Sequence, residues 1–163
     1  MRKLSYLPIV LCCLAWFSCR YNCCDVPTPP NMITATRDSA VWQLFNTQGS
    51  LRLDTLVIAD TSVNPQRSEL LVFKLKFNGT VNYTLTPANV VYAYVPQMDN
   101  PYVYYTLDTS FANAFQVSYY DAANGIMLGN FSIKVKKDPS NTDNRYPPSV
   151  SFLNGAFRVQ LRK

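Results

Sequence analysis

Leu70-Leu71-Val72-Phe73-Lys74-Leu75-Lys76-Phe77 is the stretch that decides the fold. Leu71, Phe73, Leu75 and Phe77 recur at every second residue, with Val72, Lys74 and Lys76 between them. That period belongs to a half-buried strand, because apolar positions on a helix recur every three to four residues. Asn78-Gly79 follows. Both residues tolerate the positive φ of a tight hairpin, so the spacing predicts a return strand through Val81, Tyr83 and Leu85.

The same period extends outward in both directions. It predicts strands over residues 33–36, 41–45, 51–58, 90–95 and 102–107, another marked by Phe115, Val117 and Tyr119, and a long one over 126–136. Residues 37–40 and 121–125 read as turns, and 137–148 as a polar loop. A terminal hairpin is expected over 150–153 and 156–161, turning at Asn154-Gly155. Composition agrees. The ten acidic residues include a single Glu, Glu69, whereas there are 11 Tyr and nine Phe, a balance that disfavours helices and favours strands. The expected fold is all-β: an antiparallel β-sandwich (or open barrel) of about ten strands over residues 32–163. Its core is expected to hold Trp42, Phe73, Leu75, Phe77, Phe131, Ile133, Phe157 and Val159.

The N-terminus reads as an address. Arg2 and Lys3 precede an apolar run over residues 4–17, too short to span a bilayer, which needs roughly 20 apolar residues. Trp16-Phe17-Ser18-Cys19 closes the run with a small residue before a Cys, which resembles a bacterial lipobox. Residues 1–18 are expected to be a lipoprotein signal peptide and Cys19 the lipidation site. Residues 19–31 then form the lipidated Cys and a tether stiffened by Pro27, Pro29 and Pro30. Extended at about 3.1 Å per residue, the tether from Arg20 reaches about 37 Å. No Cys follows Cys24, so the domain is held by its core and not by disulfides. Cys23 and Cys24 are adjacent, and a bond between them would close almost no loop.

The charge of +5 falls to +3 without Arg2 and Lys3, and the basic residues are scattered. That is ordinary solubility, not a nucleic-acid footprint. The chain has no His, which excludes His-based acid–base catalysis and His-ligated zinc or haem. With five Gly there is no Gly-rich phosphate loop. No cofactor and no enzyme activity are expected.

Several motifs together resemble a group of uncharacterised cell-envelope lipoproteins of Bacteroidota. These are the lipobox, the short tether, Ile33-Thr34-Ala35-Thr36 before Trp42, and Gly79-Thr80-Val81-Asn82-Tyr83. The closing pieces are Gly129-Asn130-Phe131 and Gly155-Ala156-Phe157. The resemblance implies a cell-envelope location, expected to be the outer membrane, and a β-sandwich. It implies no activity.

The most distinctive side chains are tyrosines. Tyr92 and Tyr94 share one face of their strand, and Tyr102 and Tyr104 one face of the next. The opposite faces carry Val91, Ala93, Val95 and Val103, Tyr105, Leu107. If those faces are core, Tyr92, Tyr94, Tyr102 and Tyr104 form one exposed platform for a glycan, a peptide or a partner protein. The chain then reads as a non-catalytic binding module, with a structural component pairing through β-edges as the alternative. Asp138, Asn141, Asp143 and Asn144 crowd the polar loop and read as turn residues. Asp38-Ser39-Ala40 and Asp54-Thr55-Leu56 look like a short O-glycosylation sequon of exported Bacteroidota proteins, but so short a pattern recurs by chance, and both read as turn or strand chemistry.

Overall fold

The computed structural model describes residues 30–45, 47–64, 67–95 and 102–162. The signal segment, Cys19, and the tether up to residue 29 lie outside them. Among the described residues eleven strands appear in chain order: β1 (Met32–Arg37), β2 (Ala40–Leu44), β3 (Gln48–Arg52), β4 (Thr55–Asn64), β5 (Arg67–Lys76), β6 (Asn82–Tyr83), β7 (Val90–Val95), β8 (Val103–Leu107), β9 (Ala114–Asp121), β10 (Ile126–Lys137) and β11 (Ser149–Arg162). One 3₁₀ turn, Pro87–Asn89, precedes β7. The chain is all-β, as its alternation requires.

Pairing runs β11–β3–β4–β5–β7–β8–β10 and returns to β11 through a long antiparallel β10–β11 ladder. The β1–β2 hairpin hangs on β11, and β9 with β6 hangs on β10. Among the described residues one ladder is parallel, the short β11–β3 contact at Leu161↔Gly49 and Arg162↔Ser50. The inward side chains merge into one core that includes Ile33, Trp42, Leu56, Ile58, Leu71, Phe73, Phe115, Ile133, Phe152 and Val159. Seven of the eight side chains expected inside are buried; Phe77 is half-buried at the margin, edge-on to Tyr120.

Turns are where reading and structure part. Asp38 and Ser39 have φ of 46° and 74°, and Arg37 faces Ala40, so the expected turn is a two-residue hairpin. Residues 51–58 do not form one strand. Leu53 and Asp54, at φ 45° and 61°, make a second two-residue hairpin between β3 and β4. Asn78-Gly79 makes no hairpin: β5 pairs with β7, and the segment after Gly79 crosses to β9. The Tyr83 hydroxyl fixes that crossing, accepting from Asn78 N (2.9 Å) and donating to Gly79 O (2.7 Å).

Asn154-Gly155 does not turn either. β11 runs straight through it, with Asn154 at φ 51° and a register shift against both β1 and β10. This is a bulge, in which an extra residue strengthens local twist without reversing the chain. Gly155 is required by packing, because a Cβ there would lie 2.5 Å from the Phe131 ring.

Candidate functional site

The tyrosine strands β7 and β8 pair antiparallel with Tyr92 opposite Tyr105, Ala93 opposite Tyr104 and Tyr94 opposite Val103. The faces therefore sort differently from the sequence reading. Tyr92, Tyr94, Val103 and Tyr105 share the inner face, and Ala93 and Tyr104 share the outer one. Tyr92 (0% exposed) and Tyr105 (1%) are core, and Tyr94 is half-buried against it. Tyr102 (52%) and Tyr104 (48%) stand outside. The expected platform of Tyr92, Tyr94, Tyr102 and Tyr104 is thus not one surface, and only the Tyr102–Tyr104 half of it faces outward.

The interior offers the inward phenols what valine could not use. Glu69, the only Glu, lies on β5 in the same parity as Leu71, Phe73 and Leu75, and is 6% exposed. Arg37 Nη1 donates to both of its carboxylate oxygens, at 2.6 and 2.7 Å. Trp42 Nε1 donates to Oε2 at 2.7 Å. The Tyr92 hydroxyl accepts from the same Arg37 nitrogen at 3.4 Å. Burial works against the Arg37 charge, but the hydrogen bond and negative charge of Glu69 outweigh it and raise the guanidinium pKa. Burial pushes the Tyr92 phenol up, and the Glu69 charge adds to that. Burial raises Tyr105 as well.

Rings close around this network. Phe152 packs on both Trp42 (4.7 Å between centroids) and Tyr92 (5.0 Å), and Tyr146 packs on Tyr94 (5.2 Å). The Tyr105 hydroxyl donates to Pro147 O (2.8 Å), tying the polar loop to the core. A second polar pair, Thr47 Oγ1 donating to Asp60, is also buried. The Glu69 network is charge-balanced and hydrogen-bonded, so it closes one end of the core instead of presenting a reactive group. Sequence reasoning missed it, although one carboxylate at an inward position of the best strand was a visible signal.

Outside, the Tyr102 and Tyr104 rings lie 5.9 Å apart. Leu70 faces Ala93, which faces Tyr104; Val72 faces Val91. Leu70 and Val72 are half-buried and Val91 is 38% exposed. This wall is aliphatic and aromatic where strand alternation would ordinarily place polar groups. Arg52, Lys74 and Lys76, all exposed, occupy the end of the wall near the β3–β4 turn.

The polar-loop carboxylates are engaged locally. Asp138 accepts from Ser140 N (2.8 Å), and Asp143 accepts from the Arg145 side chain (2.6 Å at the closest). The latter hydrogen bonds hold the Asp143 carboxyl down at about 2. Among the described residues no group of three or more His, Cys, Asp or Glu is placed to hold a metal, and no helix is long and apolar enough to cross a membrane. No family model matches the chain, and neither curated proteins nor solved structures supply a match.

Proposed function

We propose that the chain is a cell-envelope lipoprotein, anchored through Cys19 in the outer membrane, that acts as a non-catalytic binding module for a glycan, a peptide or a partner protein. The observation that carries the reading is the outer wall of β5, β7 and β8. Two half-exposed phenols stand side by side on an aliphatic floor of Leu70, Val72, Val91 and Ala93. Such amphipathic rings supply flat contact area together with hydroxyls for orientation, and exposed apolar patches of this kind mark interaction sites. The lipobox-like Trp16–Cys19 stretch and the motif resemblance to Bacteroidota lipoproteins support the location.

The test is a glycan and envelope-protein array probed with the native chain and with Tyr102→Ala/Tyr104→Ala. Binding by the native chain that the folded variant loses is expected. Identical binding by both would remove the wall from the function.

A second reading, a structural component pairing through β-edges, has its own support. β2 ends the strand order and pairs only with β1 among the described residues. It carries no charge or proline, and Val41 (82%) and, just past its end, Phe45 (61%) are exposed. Natural edges are ordinarily protected by such residues or by shortness. Val41→Lys separates the readings: it should abolish co-purification with an edge partner and leave array binding intact.

A further inference from the structure

The β3–β4 hairpin tip is built against local preference. Its two turn residues need positive φ, which favours Asn, Asp and Gly, yet Leu53 holds the first position at φ 45°. Its side chain is 100% exposed. It therefore carries backbone strain with no packing contact in return, and a strained residue of that kind points to a use outside the domain.

Its surroundings say what kind of use. Arg52 precedes it on β3, and Lys74 and Lys76 stand exposed on neighbouring β5. Lys76 lies opposite Thr55, and Phe77 N donates to Asp54 O (2.6 Å), so leucine and cations share one end of the molecule. Asp54 is the one acidic residue of the turn. The chain also enters the domain on that side. Met32 lies opposite Arg158, and Gly49 opposite Leu161 of the same strand. β1 and β3 thus start side by side, and Asn31 is held there by Gln160 N (2.9 Å). From Gly49, β3 runs about 13 Å onward to the tip while β1 runs away from it.

We propose that Leu53, collared by Arg52, Lys74 and Lys76, dips into the interface of an anionic lipid surface. The leucine enters the headgroup–acyl boundary and the cations meet lipid phosphates, the pattern by which interfacial elements hold to membranes. The inference rests on the anchoring reading for the nearness of that surface, since the tether from Cys19 joins the domain at Asn31.

The full chain carrying Leu53→Trp is mixed with brominated vesicles of equal parts phosphatidylglycerol and phosphatidylcholine, and with phosphatidylcholine vesicles alone. Flotation, the mass of the Cys19 peptide and tryptophan quenching are read together, with the unsubstituted chain, processed in the same way, as the baseline for Trp42 and, where residues 1–18 are retained, for Trp16. Expected is quenching above baseline on the anionic vesicles, weaker on the neutral ones. Partitioning should fall roughly fivefold for each of the three cations changed to Ser. A chain acylated at Cys19 that floats without quenching of the introduced tryptophan keeps the anchor and overturns the tip. An unmodified Cys19 with the tip tryptophan quenched overturns the anchor and keeps the tip. Neither acylation nor quenching overturns both.

Discussion

β7 and β8, with the residue before β8, carry five tyrosines on adjacent strands and dispose of them in opposite ways. Tyr92, Tyr94 and Tyr105 turn inward; Tyr102 and Tyr104 turn outward. Intrinsic strand preference cannot tell them apart, since residue type is the same and Tyr104 stands in a strand as Tyr92, Tyr94 and Tyr105 do. What separates them is the company on each face. Inside, Arg37 and Glu69 give a polar anchor beside the Tyr92 hydroxyl, and Pro147 O accepts from Tyr105. A buried phenol is favourable only with such a partner. Outside, the ring stays half wet and asks for none.

The largest expected difference between the two sets is in stability. Tyr92→Ala should cost about 4 kcal/mol, as large-to-small changes in a packed aromatic core do. Urea unfolding measures it. Tyr92→Phe, which removes the hydroxyl with its bonds to Arg37 and Tyr94, should cost about 1 kcal/mol. If Tyr92→Ala is as mild as a surface change, the inner set is not core and the comparison collapses.

Glu69→Ala comes next, at about 3 kcal/mol, because it leaves the buried Trp42 donor and the half-buried Arg37 charge without their acceptor. A loss below about 1 kcal/mol would mean that water replaces the carboxylate and that the network does not organise the inner face.

How much of this was legible follows from the physics of each signal. Alternation within a strand is local, so the strands, the inward parity of Phe73, Phe131 and Phe157, and the pairing of tyrosine faces within each strand could all be read. Register between strands is not local. Nothing within residues 90–107 says that Tyr92 meets Tyr105 and not Tyr104, and a one-residue shift exchanges the faces. Glu69 could have decided it. A sole carboxylate in the parity of Leu71, Phe73 and Leu75 needs an interior partner, and inward tyrosines fit that need. Turn residues misled for a related reason. Asn78-Gly79 and Asn154-Gly155 permit a reversal, but the crossing to β9 and the fit of Phe131 over Gly155 were decided by distant packing. Leu53-Asp54 turned with Asp54 as its only turn-favouring residue.

Alkaline pH sharpens the same contrast with a smaller effect. Burial raises the phenols of Tyr92 and Tyr105 above their ordinary value near 10. In the unfolded chain both ionise near pH 10, while in the folded one they keep their protons. The unfolded state then binds fewer protons, so stability is complete below about pH 10 and falls above it, by up to about 1.4 kcal/mol per pH unit for Tyr92 and by less for Tyr105, whose hydroxyl lies at the margin of the core. Urea midpoints at pH 8 and 11 measure this. In Tyr92→Phe/Tyr105→Phe the decline should be shallower; an unchanged decline would show that these phenols are not what alkali acts on.

The smallest effect belongs to the outer pair. Tyr102→Ala/Tyr104→Ala should change stability by no more than about 0.5 kcal/mol, the usual range for surface substitutions without special geometry. Each ring is about half exposed, and each loses mainly its contact with the other. The one interior consequence is at Ala93, which sits fully buried in the row between Leu70 and Tyr104 and would be uncovered. Its methyl is small, so the penalty stays within that range. A double variant as destabilised as Tyr92→Ala would show that the outer wall is held against something inside the chain and is not available to a ligand. A near-neutral variant leaves the two phenols with no structural reason to be there, and that is the condition under which the array measurement speaks about function.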